Sequence, residues 1–132
     1  MLGVPVQGRV QASGDASSGR VYRWKTDRLD GRADMRRASG SSQMDTVIQG
    51  YLAQAKAGCK GDFAADTSPV KAAGVERSQA YEIACVNQKT PVAASVLFTY
   101  GHGLVSTVVH EGRPEDMDLA IDARGRVAAQ IR

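Results

Sequence analysis

The sequence predicts an α+β domain in which an antiparallel sheet of about five to six strands is packed by two amphipathic helices. Three observations predict it. Apolar residues recur at helical spacing in two well-separated stretches, 43–57 and 114–131. Elsewhere apolar and polar residues alternate with a period of two, as they do in half-buried strands. A chain of 132 residues with 42% hydrophobic and 23% charged side chains has the size and composition of one globular core.

Residues 1–18 alternate weakly through Val4, Val6 and Val10 and end in a Gly/Ser/Ala-rich run, so a mobile segment with at most a short strand is expected there. Val21 to Lys25 reads as a strand, with Tyr22 and Trp24 on one face and Arg23 and Lys25 on the other. Residues 26–42 are polar, charged and rich in Gly and Ser, and read as a long loop offering a functional surface. The first helix follows from Met44, Val47, Ile48, Tyr51, Leu52 and Ala55, with Ser41 or Ser42 as its cap and Gly58 ending it in the left-handed conformation.

Strand candidates then follow at 61–65, 70–73, 78–86, 93–100 and 104–110. The last two form a hairpin around Gly101-His102-Gly103, whose glycines suit the positive φ of a tight turn. The second helix opens at Pro114, with Glu115, Asp116 and Asp118 near its start and Arg124, Arg126 and Arg132 near its end. Met117, Ala120, Ile121, Val127, Ala128 and Ile131 form its apolar face. Gly125 interrupts it, as a close approach or a weak point.

In element order the chain resembles the small α/β/α sandwiches of the PsbP type. That resemblance implies helices on both faces of the sheet and a binding or assembly role in an exported bacterial protein.

Two cysteines 26 positions apart match no zinc or CxxC spacing. Cys59 follows a helix and Cys85 lies in a strand, so a disulfide between them is expected, with a periplasmic or secreted location. Two buried thiols in a cytoplasmic protein are the alternative. The N-terminus shows no charged region followed by an apolar one, so export assumes a leader already removed. No stretch is apolar enough for a membrane-spanning helix.

The net charge of +3 is uneven: residues 1–40 carry eight basic and four acidic side chains, and the remainder nine and ten. The arginines of the first third are interleaved with aspartates, as on a solvated surface, so nucleic acid is not the expected partner. Binding of nucleic acid or an anionic surface by that third is the second alternative.

No nucleophile elbow, phosphate loop or metal-ligand spacing is present, so no catalytic residue, cofactor or metal is assigned. His102 and His110 sit too far apart along one strand to share a metal ion. The expectation is a non-enzymatic exported domain that binds a protein or cell-envelope component, with a homodimer left open. Trp24, Arg23 and Arg28 are the binding candidates, on the sheet face around Trp24 or the 26–42 segment. The alternative is a small enzyme or metal-dependent protein centred on His110 and Glu111, at a strand-to-helix junction.

Overall fold

The computed structural model describes residues 11–13, 20–26 and 28–131. Seven strands, β1 (Gln11–Ser13), β2 (Arg20–Lys25), β3 (Asp30–Arg37), β4 (Asp62–Ser68), β5 (Arg77–Val86), β6 (Val92–Gly101) and β7 (Leu104–Gly112), form one antiparallel sheet in the order β1-β2-β3-β7-β6-β5-β4. Helix α1 (Ser42–Gly58) carries the chain from β3 to the far edge at β4, and α2 (Met117–Gln130) follows β7 after a 3-10 turn at Pro114–Asp116. The α+β class, both helices and the long hairpin agree with the sequence expectation. Apart from β1, the expected mobile segment 1–18 lies outside the described residues.

The period of two on β6 and β7 assigns each helix its own face. Val96, Phe98 and Tyr100 of β6, with Val105 and Val109 of β7, pack under Met44 and Ile48 of α1. Leu97 and Val108 point the other way and pack with Val127 and Ala128 of α2 and Ile131 just past it, together with Trp24 and Ala33. A strand covered on both faces has no polar side, which explains why β6 is buried almost throughout. On the α1 side, Tyr51 and Tyr81 both meet Phe98 edge to face, with ring centroids 5.8 and 5.9 Å apart. Cys59, just past α1, is bonded to Cys85 of β5, with the Cα atoms 5.7 Å apart.

Four local expectations are corrected. The segment 26–42 is not a long loop, because β3 occupies its middle, paired with β2 on one side and β7 on the other. Its buried positions are Gly31 and Ala33, residues too small to announce a strand in composition. Residues 70–73 form no strand; Ala72 is buried in the α2-side core with Val70 and Val75 against it. Gly58 does not take a left-handed conformation: the helix gives way to extended backbone at Cys59 (φ −82°, ψ 122°), the residue tied to β5. In the β6–β7 turn Gly101 pairs with Leu104, so the two-residue loop is His102-Gly103, with φ of 54° and 71°. Gly101 instead makes room for Val75, which lies 3.1 Å from where a Cβ would stand.

Ser41 stands at the cap position of α1 without a side-chain bond, and its carbonyl accepts from Met44 N–H. Gly125 is exposed and meets nothing, so it marks no close approach.

Candidate functional site

The expected site residues divide between the two faces of the sheet. Glu82, Ser95, His110, Gly31 and Trp24 form one cross-strand row from β5 to β2, on the α2 face. Trp24 is 4% exposed. A Cβ on Gly31 would fall 2.0 Å from the indole, so the glycine is what lets Trp24 lie flat across β3. His110 is 3% exposed and meets Trp24 edge to face at 5.6 Å. Its Nδ1 is the buried side-chain polar atom left without a hydrogen-bond partner among the described residues, and burial lowers the imidazole pKa to about 4. On this face Trp24 is part of the core, packed with Ala33, Leu97 and Val108.

The rest of that row is a polar clasp. Arg124 donates to the Glu82 carboxylate at 2.7 Å and to the Tyr81 carbonyl at 3.2 Å, and Ser68 hydroxyl donates to the other Glu82 oxygen. These bonds outweigh the desolvation of Glu82 and hold its carboxyl below the usual range. Ser95 donates to the Ala120 carbonyl at 2.5 Å, joining β6 to α2. Arg124 therefore ties the helix to the sheet, whereas its place near the helix end suggested a solvent-facing charge that complements the dipole.

Glu111, one residue along from His110, points to the α1 face, where its cross-strand neighbours are Asp30 and Ala94. The two residues proposed as a joint centre are separated by the sheet itself. Among the described residues no group of three or more His, Cys, Asp or Glu side chains is placed to hold a metal ion.

The α1 face is only partly covered. Helix α1 rests on β6 and β7, and beside it the even-numbered positions of β3 stand open. The result is a cleft with α1 as one wall. Near Val105 a cavity of about 270 Å3 is bounded by Arg32, Asp34 and Arg36 on the sheet and Val47, Gly50 and Tyr51 on the helix. A second of about 220 Å3 lies between Arg23, Asp30, Arg32, Tyr51 and Glu111. The third, of about 330 Å3, is mainly apolar, with Ala55, Phe63, Ile83, Val92 and Ala94 around it. Tyr51 lines all three, and Glu111 lines the second and third.

The electrostatics of this cleft are uneven. Asp34 takes weak ion pairs from Arg32 at 3.5 Å and Arg36 at 3.4 Å, and Lys25 lies 3.6 Å from Asp30. Arg23 stands directly opposite Arg32 across β2 and β3, and it pairs with no carboxylate among the described residues. Like charges directly opposite on neighbouring strands are destabilising. Burial, then the Glu111 charge, pushes the Tyr51 hydroxyl up to about 12, so at neutral pH it keeps its proton and has an O–H to offer. Partial desolvation within the cleft, then the adjacent Asp30, raises the Glu111 carboxyl.

Of the binding candidates, Arg23 and Glu111 thus reach the cleft, while Trp24 and His110 do not. Arg28 is exposed and lies 3.5 Å from Asp116, tying the β2–β3 turn to the entry of α2. Arg32, Asp34, Arg36 and Tyr51 line the cleft without being marked by sequence composition. The first three lie on β3, in the segment whose composition suggests a loop, and their even spacing is the signal for one strand face. Tyr51 belongs to the apolar stripe of α1, which hides its second role as a cleft wall. A scan against protein-family models finds no match, and no curated protein matches the chain.

Proposed function

We propose that this protein is an exported, non-enzymatic binding domain whose ligand lies in the cleft between α1 and strands β2, β3 and β7. One observation carries the reading: α1 leaves the directly opposed Arg23 and Arg32 uncovered beside Tyr51, over an apolar floor at Val109. A repulsive pair that serves no packing purpose is offset when an anion binds between the two guanidinium groups. The groups nearby suit recognition better than turnover, since Tyr51 holds its proton too tightly to act as a base near neutral pH.

The helix-on-each-face layering supports the resemblance to PsbP-type sandwiches and the binding or assembly role it implies. In this reading the Cys59–Cys85 bond belongs to an oxidising compartment such as the bacterial periplasm.

The test is an amide shift map of the disulfide-bonded protein against a mixed library of small acids, amines, neutral fragments and short peptides. Shifts clustering at Arg23, Arg32, Tyr51 and Val109 are expected. Hits that cluster outside the cleft, or substrate turnover abolished by Tyr51→Phe, would overturn the reading.

A further inference from the structure

We infer that the cleft takes an anionic amphiphile, with a carboxylate or phosphate head between Arg23 and Arg32 and an apolar tail running past Tyr51 into the chamber around Phe63 and Ile83. The inference rests on the binding reading above and names the ligand class. Two kinds of surface meet here. The head position has two guanidinium groups from adjacent strands on one face and the Tyr51 hydroxyl as a donor. The tail position is the 330 Å3 chamber, whose charged lining residue is Glu111, at the side shared with the head cavity.

An extended peptide fits the same place less well. Among the described residues, strands β3, β7, β6 and β5 are each paired on both sides, so a peptide main chain laid over them meets no free backbone edge; the open edge belongs to β4, which carries Phe63. Peptide groups pressed into the apolar chamber would lose their water without gaining partners. A hydrocarbon tail carries no such groups. Glu111, between head and tail positions, and Asp30, which also lines the head cavity, oppose an anionic head; Lys25 at 3.6 Å partly offsets Asp30, and Glu111 is the one that limits affinity.

The experiment uses the full disulfide-bonded chain and four probes below their aggregation limits: dodecanoate, dodecyl phosphate, dodecanol and an acidic peptide containing one Phe. Calorimetry gives affinity and amide shifts give position. The expected result is saturable binding of at least one anionic amphiphile, with the tighter of the two identifying a carboxylate or a phosphate as the natural head. The double variant R23A/R32A should lower that affinity about tenfold or more while leaving the melting temperature nearly unchanged, because the two side chains stand opposite each other and the Arg32–Asp34 ion pair lost with them is weak. Glu111→Gln should tighten binding several-fold, and Ala55→Trp, which fills the chamber, should weaken both amphiphiles.

Dodecanol binding as tightly as dodecanoate, or R23A/R32A retaining full affinity, overturns the head assignment. A peptide that binds the cleft more tightly than either amphiphile overturns the ligand class while leaving the cleft as a binding site. Absence of cleft shifts with all four probes and with the mixed library removes both.

Discussion

Acid sensitivity at His110 follows from its burial beneath α2 against Trp24. The folded imidazole titrates at about 4, against 6.5 for an unrestrained histidine. Between those values the unfolded chain binds a proton that the folded chain refuses, so stability is full above about pH 6.5 and falls as pH drops toward 4. Integrated from pH 7.5 to pH 4, the loss from this one group is about 3 kcal/mol. His110→Phe keeps a ring against Trp24, removes the titration and removes the unpartnered Nδ1, so at pH 7.5 it should be neutral or stabilising. Urea unfolding followed by the emission of the single tryptophan, Trp24, measures both proteins at both pH values. Other groups contribute with both signs: Glu111, raised in the fold, gains stability on acidification, while Glu82 and Asp45, lowered, lose it. Subtracting the variant's pH dependence from that of the wild type cancels them. Equal losses in the two proteins would refute the assignment of a buried neutral imidazole.

Replacing both cysteines by serine frees the loop between α1 and β5 and should cost about 3 kcal/mol in urea unfolding at neutral pH, with the fold retained. Gly31→Ala displaces the Trp24 indole and should cost about 3 kcal/mol, with a red shift of tryptophan emission that shows the ring leaving its site. Arg124→Ala strands Glu82 at the base of α2 and should cost about 3 kcal/mol; adding Glu82→Gln should restore part of it, a coupling that a thermodynamic cycle measures.

Local pattern settled much of the architecture. Met44, Ile48 and the other apolar residues of α1 stand at helical spacing, and the alternation on β6 and β7 needs no partner to be read. The cysteine pair is different: local pattern leaves a disulfide or two buried thiols, and the 5.7 Å between the Cα atoms in the fold decides for the bond. Tertiary structure decided where the chain's polar residues count. β3 is a strand because β2 and β7 supply hydrogen bonds on both sides, although Gly31 and Ala33 give it little apolar signal. His110 and Glu111 are neighbours in sequence and opposites in space, because a strand sends successive side chains to different faces. The cleft has the same origin: Arg23, Arg32, Tyr51 and Glu111 come from four different elements. Only the sheet order β2-β3-β7 and the position of α1 over it bring them together, and periodicity within one segment carries no information about which strands become neighbours.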